Sequence, residues 1–230
     1  MLQPLPPQVL PLLDPAGLEQ PVVLVVDDDI AVREGLSELM LSAGLNSICF
    51  ASTQELLTSG ELGRPGCLVL DVCMPDASGL DLQRHLTRSG QRKPIIFLTG
   101  HGNIPMTVQA MKAGAVDFLT KPVRDQALLD AVARAVERDL TDRAEARRAR
   151  QCAERFETLT LRERQVFREV ARGRLNKQIA FDLSIAEVTV KVHRGKVMRK
   201  MQARSIGDLI RAWDGLSLED RDENKLDRTG

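Results

Sequence analysis

Five short apolar runs, separated by segments of helical period, constrain the fold of this chain more than any other feature. The runs predict strands at Val22–Asp27, Ser47–Phe50, Leu68–Asp71, Ile95–Thr99 and Val116–Thr120. The intervening segments predict helices at Ile30–Ala43, Thr53–Ser59, Gly79–Ser89 and Ile104–Ala113. Because buried strands that alternate with amphipathic helices favour right-handed crossovers, the pattern predicts an α/β domain with a doubly wound parallel five-stranded sheet. A ligand site in such a sheet lies at the carboxyl ends of the strands.

Three carboxylates follow two of these runs. Asp71 ends the run that begins at Cys67, and Asp27 and Asp28 end the run that begins at Val22. Carboxylates that converge at strand ends repel one another unless a cation binds among them. Mg²⁺ takes oxygen ligands and is usually held by one or two carboxylates together with waters and phosphate oxygens. The sequence therefore predicts a magnesium site at this edge of the sheet.

A hydroxyl and an ammonium group follow the last two runs. Thr99 ends the fourth run, and Lys121 comes directly after the fifth and before Pro122. A cis Lys121–Pro122 peptide would direct the lysine into the site, since X-Pro bonds are those in which cis forms are tolerated. A hydroxyl and an ammonium aimed at one pocket are what a phosphorylated carboxylate would need.

The sequence after Pro122 predicts further helices, and its second half is basic. A helix begins near Asp125, and the stretch Arg143–Arg155 is polar nearly all round, which fits either a helical linker with a coiled dimer contact or a solvated helix. Four shorter helices follow, at Thr160–Arg172, Asn176–Leu183, Ala186–Met201 and Ser205–Leu216. Residues 157–204 contain twelve Lys and Arg against five Asp and Glu, although the whole chain has a formal net charge of zero. This small all-α domain is therefore suited to a polyanion.

These patterns divide the chain into five parts. We expect a disordered lead-in at 1–20, an α/β core at 21–123, a last helix and helical linker at 124–156, an all-α domain at 157–216 and a disordered tail at 217–230. The lead-in carries five prolines and no cationic segment, which argues against a signal peptide. No apolar run approaches the ~18 residues of a membrane span, and the four cysteines show no paired spacing. We therefore expect a reduced, cytoplasmic protein that does not act at a membrane.

Two known families resemble these two domains. The spacing of Asp27-Asp28, Asp71, Thr99 and Lys121-Pro122 resembles the flavodoxin-like receiver domain of two-component response regulators. The segments Leu159–Glu163, Asn176–Ala180 and Thr189–Arg194 resemble the LuxR-type helix-turn-helix of the FixJ/NarL class of those regulators. Together the two resemblances cover roughly residues 20–213.

The receiver resemblance assigns a role to each polar strand end. It implies that a sensor histidine kinase phosphorylates Asp71 and that Lys121 pairs with a phosphoryl oxygen. Its implied Mg²⁺ ligands are Asp28, Asp71, Asp27 through water, and the backbone carbonyl of Cys73. Thr99 would then bind another phosphoryl oxygen, and Phe118 would turn inward into the space that Thr99 leaves. This movement would reshape the Ile104–Phe118 face into a dimer contact, so we expect a homodimer on phosphorylation.

The LuxR-type resemblance implies that the helix after the turn lies in the major groove of operator DNA. Its implied contacts are Lys177, Thr189, Lys191, Val192, His193, Arg194 and Lys196. Lys191 is the expected base contact and Val192 the expected neighbour of a thymine methyl, whereas Lys177, Arg194 and Lys196 are expected at phosphates. His193 could equally be a half-buried side chain bonded to a backbone carbonyl. Two departures are an alanine at the expected helix cap, Ala186, and a glycine within the recognition helix, Gly195.

The sequence thus indicates a phosphorylation-gated transcriptional regulator rather than an enzyme, and leaves RNA polymerase open as a further partner. One alternative is a phosphohydrolase with an aspartyl nucleophile, similar to the haloacid-dehalogenase family. That family places its nucleophile on the first strand in an Asp-x-Asp pattern, whereas Asp71 follows the third run. The other alternative is a regulator whose receiver is never phosphorylated and serves only to form dimers.

Overall fold

The computed structural model describes residues 20–75, 78–100, 102–217 and 220–221, and the chain divides into two compact units between Asp142 and Arg143. The expected lead-in, apart from residue 20, lies outside the described residues. The expected tail is described only at 217, 220 and 221. There the Ser217 hydroxyl accepts the N–H of Asp220, and Arg221 donates to the carbonyl oxygens of Leu216 and Asp214. Ser217, Asp220 and Arg221, the described residues of this segment, are therefore all held by hydrogen bonds.

The first unit is built on a five-stranded sheet of order β2-β1-β3-β4-β5. Its strands are β1 Val22–Val26, β2 Asn46–Phe50, β3 Gly66–Leu70, β4 Ile95–Thr99 and β5 Asp117–Thr120. Every neighbouring pair is parallel. This confirms the predicted fold class and brings all five carboxyl ends to one edge of the sheet.

Helices cover both faces of this sheet. They are α1 Ile30–Ser42, α2 Thr53–Ser59, α3 Gly79–Arg88, α4 Ile104–Lys112 and α5 Asp125–Glu157, and an unpredicted 3₁₀ turn lies at Glu61–Gly63. An apolar core lies on each face of the sheet, and successive residues of a strand point into opposite cores. Leu24 lies in one core, and Val23 and Val25 lie in the other. The buried strands therefore read as continuous apolar runs because both of their faces are covered.

Side-chain caps start the helices that follow the site strands. The carboxylate of Asp29 accepts the N–H of Ala31 at the start of α1, and Asn103 accepts that of Met106 at the start of α4. Because the cap follows the strand end closely, the chain turns away from the carboxyl edge within a few residues. Asp29 is thus a helix cap, although it directly follows the two predicted metal ligands.

The second unit packs four helices around one apolar core. The helices are α6 Leu161–Ala171, α7 Asn176–Asp182, α8 Glu187–Lys200 and α9 Ile206–Asp214. The rings of Phe156, at the end of α5, and Phe167 pack against Trp213, with the Phe167–Trp213 centroids 5.3 Å apart. A capping box joins Thr160 and Glu163 at the start of α6. Ala186 precedes α8 and provides no side-chain cap, as expected. Among the described helices, none combines the length and apolar character of a membrane span.

Candidate functional site

Asp27, Asp28 and Asp71 form an acidic pocket at the carboxyl edge of the sheet. Strands β1 and β3 are paired with Val26 opposite Leu70, so the residues that follow each strand lie side by side. One carboxylate oxygen from each aspartate lies within 4.8 Å of the others. Asp27 and Asp71 are buried, with 2% and 7% of their surface exposed, whereas Asp28 faces solvent. The pocket is therefore open on the Asp28 side.

Lys121 supplies a cation inside this pocket. Its Nζ donates to Asp27 Oδ2 at 2.5 Å and to Asp71 Oδ2 at 2.8 Å, and the Lys121–Pro122 peptide is cis. Burial by itself lowers the pKa of the Lys121 ammonium, but its hydrogen bonds to the two aspartates outweigh that effect and raise it. Burial raises the pKa of the Asp27 carboxyl despite the bond from Lys121. Charge on Asp27 is therefore costly, which favours the binding of a further cation.

Main-chain groups fix the orientation of two of the carboxylates. Asp27 Oδ1 accepts the N–H of Asp29, and Asp71 Oδ1 accepts the N–H of Cys73, each at 3.0 Å. The main chain of Asp71 is also approached closely by Gly79, where a Cβ atom would lie 2.3 Å from the Asp71 carbonyl oxygen. Only glycine therefore fits at the start of α3 in this arrangement.

The sequence did not reveal the role of Arg33 on α1. Its Nη1 donates to the carbonyl oxygens of Asp27 and Asp28, at 2.7 and 3.0 Å. The helix dipole disfavours a basic side chain in the first turn of a helix. The position of Arg33 in the sequence therefore indicates that its guanidinium has a specific partner. Arg33 fixes the loop that carries two of the three aspartates.

These residues fit a magnesium ion by the chemistry of their donors. Mg²⁺ prefers one or two carboxylates and keeps several waters, and this pocket offers three carboxylates with one open side. Cys73, whose backbone carbonyl is a predicted ligand, lies beside the pocket because its N–H is bound to Asp71. The predicted metal-binding residues are thus brought together at one place.

Thr99 and Phe118 lie on the two strands next to this pocket. The Thr99 side chain is buried, and its Oγ1 donates to Cys73 Sγ at 3.8 Å. Phe118 is half-buried on β5, paired with Phe97 of β4, and their ring centroids are 6.0 Å apart. The predicted switch residues therefore lie side by side, with the threonine nearer to Asp71.

In the second unit, α8 divides its residues between the core and the surface. Val190 and Val197 are fully buried, whereas Lys191, Val192 and Lys196 are exposed. Lys191 Nζ lies 3.6 Å from Glu187 Oε1, one turn earlier. On α7 Lys177 is also exposed, and Thr189 of α8 is half-buried. Most of the predicted DNA contacts thus lie on accessible surface.

Arg194 and His193, two of the predicted contacts, are partly buried within the domain. Arg194 is half-buried, and its Nη1 donates to Asn176 Oδ1 at 2.6 Å, which ties α8 to the start of α7. His193 is half-buried as well. Its Nδ1 is buried and has no hydrogen-bond partner among the described residues, so that atom does not bond to a backbone carbonyl.

Comparisons with known proteins match both units. The model of the response regulator receiver domain matches residues 23–133, and that of the bacterial regulatory proteins of the luxR family matches residues 157–213. Nodulation protein W of Bradyrhizobium diazoefficiens is 52% identical over 197 residues, which cover 86% of this chain and 87% of that protein. Response regulator protein TodT of Pseudomonas putida is 50% identical, with 85% and 86% covered.

Solved structures agree with these matches. The response regulator StyR has a TM-score of 0.76 and 47% identity, and the comparison covers 84% of this chain and 98% of that one. Full-length FixJ from B. japonicum has a TM-score of 0.53 and 37% identity, with 85% and 96% covered. Both matched family models are regulatory rather than hydrolytic, which removes the phosphohydrolase alternative. The chain thus combines a receiver unit, which contains an acidic pocket, with a separate LuxR-type helical unit. It belongs to the two-component response regulators of the FixJ class, which are transcription factors.

Proposed function

We propose that a sensor histidine kinase transfers a phosphoryl group to the Asp71 carboxylate, and that the Lys121 ammonium stabilises the product. The observation that carries this proposal is the 2.8 Å contact between Lys121 Nζ and Asp71 Oδ2 at the open acidic pocket. In the transfer an Asp71 oxygen forms a bond to phosphorus while the bond from phosphorus to the kinase imidazole nitrogen breaks. Because the transferring group is anionic, charge neutralisation and positioning by the pocket matter more than acid–base assistance.

Mg²⁺ would be held by Asp28 and Asp71, by Asp27 through water, and by the carbonyl oxygen of Cys73. When bound, it would neutralise the charge on the phosphoryl oxygens. Lys121 already lies between Asp27 and Asp71, so it needs only a small movement to reach a phosphoryl oxygen on Asp71. Asp27 and Asp28 thus serve binding, while Asp71 alone forms the covalent bond.

The output of the receiver is a change at Thr99 and Phe118. Thr99 would exchange its present partner, the Cys73 thiol, for a phosphoryl oxygen, and Phe118 would follow it inward. Phe118 lies on β5 beside α4, whose Ile104, Val108 and Met111 are exposed apolar residues. A dimer of phosphorylated chains through this α4–β5 face would bury that surface.

The LuxR-type unit would bind operator DNA as a pair, with α8 of each chain in the major groove and half-sites about one helical turn apart. Lys191 and Val192 would contact bases, and Lys177, Arg194 and Lys196 would contact phosphates. Thr189 and His193 lie on the same helix and complete the proposed contacts. The exposure of Lys191, Val192 and Lys196 supports this assignment. We place the protein in the cytoplasm, where it meets its kinase, operator DNA and RNA polymerase.

The phosphoacceptor is tested with acetyl phosphate and Mg²⁺. Wild-type protein should gain the mass of one phosphoryl group, and Asp71→Asn should gain none, because the amide keeps the shape of the side chain and removes the nucleophile. Asp28→Ala should still be modified, but only at a much higher Mg²⁺ concentration. Normal labelling of the Asp71→Asn variant would contradict the assignment, and an unchanged magnesium requirement would remove Asp28 from the site.

Gating is tested by titrating operator DNA with three proteins at one salt concentration. These are a fragment that starts at Arg143, the unmodified chain and the phosphorylated chain. The fragment is the second compact unit with its own core, so it should bind without phosphorylation. The unmodified chain should bind more weakly than the phosphorylated one, by a population shift of a few kcal/mol. Equal binding by the two full-length forms would instead favour a receiver that only forms dimers.

A further inference from the structure

The loop between β4 and α4 contains a glycine that touches the proposed switch. A Cβ atom on Gly102 would lie 2.9 Å from Cε1 of Phe118 and 3.4 Å from Cγ2 of Thr99. Carbon atoms in ordinary contact are about 3.5–4.0 Å apart, so a side chain at 102 would overlap with the Phe118 ring. A side chain at 102 would thus meet both proposed switch residues.

We propose that Gly102 is a positioning residue that leaves room for the Phe118 ring beside Thr99, and that it thereby sets how strongly phosphorylation drives dimerisation. The inference rests on the proposed function, because it needs Phe118 to be the switch. Phe118 is half-buried in the structure and packs against the core cluster that contains Phe97. The inward turn proposed above starts from this half-buried position and takes the ring further into the space beside Thr99, where Gly102 presents no side chain.

If a side chain is added at 102, the Phe118 ring should move rather than the backbone of the loop. The nearest atom to an added Cβ is Cε1, at the far end of the Phe118 side chain, rather than a backbone atom. Alanine at 102 should therefore push the ring away from Thr99 and leave the backbone of the loop in place.

Gly100, two residues earlier in the same loop, offers a matched control. An added Cβ atom there would meet no atom of the described residues within 4 Å, and the φ of Gly100 is not positive. Gly100→Ala and Gly102→Ala therefore make the same chemical change, with the same effect on chain entropy, and differ in the contact with Phe118.

The experiment measures the dimer dissociation constant of the full chain by sedimentation equilibrium, with Mg²⁺ and beryllofluoride as a stable phosphoryl analogue. Gly102→Ala should weaken the dimer by about two- to tenfold, the range expected for a side chain forced about 30° off its rotamer. Gly100→Ala should match the wild-type chain.

A second pair of variants separates the ring contact from a general effect on the loop. Leucine at 118 is apolar but has no Cε1, so Gly102→Ala should have no further effect in the Phe118→Leu background. Equal dissociation constants for wild type and Gly102→Ala would overturn this inference alone, as would a loss that persists in the Phe118→Leu background. Failure of the wild-type chain to dimerise with the analogue would overturn the proposed switch and this inference with it.

Discussion

The buried carboxylate of Asp139, on α5, accepts the main-chain N–H of Gly66 at 2.8 Å, 73 residues earlier in the chain. Gly66 is the first residue of β3, and a Cβ atom there would lie 2.0 Å from the carbonyl oxygen of Val22. We expect Asp139→Ala to lower the free energy of unfolding by about 1–3 kcal/mol, because the buried N–H loses its acceptor. Urea denaturation followed by circular dichroism measures the loss. Glu137→Ala, an exposed change on the same helix, is the control, and an equal effect of both changes would contradict this role.

Lys121 should compete with a divalent cation for the acidic pocket. In Lys121→Met, Asp27 and Asp71 lose their shared donor, so the free energy of unfolding without metal should fall by about 1–3 kcal/mol. Because a ligand that binds the folded state stabilises it, Mg²⁺ should then raise the melting temperature more in the variant than in wild type. Thermal unfolding with and without Mg²⁺ measures both effects, with exposed Lys112→Met as the control. A magnesium-induced shift of the same size in both proteins would argue against competition.

The Glu163–Lys200 pair should make the second unit sensitive to acid. Burial by itself raises the pKa of the Glu163 carboxyl, but hydrogen bonds from Lys200 and from the main chain of Thr160 outweigh it and hold the pKa below the ordinary value of 4.5. Since the folded-state pKa is the lower one, this carboxylate stabilises the fold above pH 4.5. That stability is lost as the pH falls from about 4.5 through the folded-state pKa.

Glu163→Gln should therefore unfold at lower urea than wild type at neutral pH, and the gap should narrow as the pH falls below 4.5. Trp213 is the only tryptophan in the sequence and packs in the core of the second unit, so its fluorescence follows this unit. Glu154→Gln, which alters an exposed ion pair with Arg150, is the control. A gap that stays constant from neutral to acid pH would show that the charge on Glu163 contributes nothing.

Two lysines of the second unit should differ in what they contribute to DNA binding. Lys191→Ala should reduce discrimination between operator and unrelated DNA by about 1–3 kcal/mol, if its ammonium contacts a base. Lys177→Ala should weaken binding to all sequences similarly and lower the slope of log K against log salt by about one. Competition titrations at several salt concentrations measure both quantities. Equal loss of discrimination in the two variants would contradict the division of roles.

The sequence predicted the elements of the fold most clearly at the three central strands, β1, β3 and β4, because these are buried on both faces. The residues that end the strands could also be predicted to lie close together, because parallel strands bring their carboxyl ends to one edge of the sheet. Asp27, Asp71 and Thr99 were found in this way, and each is buried at that edge. Their proximity followed from topology alone.

The residues that the sequence did not reveal act through contacts that depend on the tertiary fold. Asp139 lies within an amphipathic helix, and nothing local shows that it meets the start of β3. The reach of Lys200 to Glu163, 37 residues earlier, likewise depends on how two helices pack. Arg33 was also missed, but its position could have been noticed in the sequence alone. A basic side chain in the first turn of a helix is unfavourable to the helix dipole and therefore indicates a specific partner.

The division of α8 between core and surface has a consequence for how such regulators diverge. Val190 and Val197 anchor the helix in the core, and Arg194 fixes it to Asn176, while Lys191 and Val192 project outward. Substitutions at exposed positions usually change the free energy of unfolding by less than about 0.5 kcal/mol. If Lys191 and Val192 contact bases as proposed above, a duplicated gene could therefore acquire a new operator preference by changing them, without first acquiring compensating mutations elsewhere in the domain.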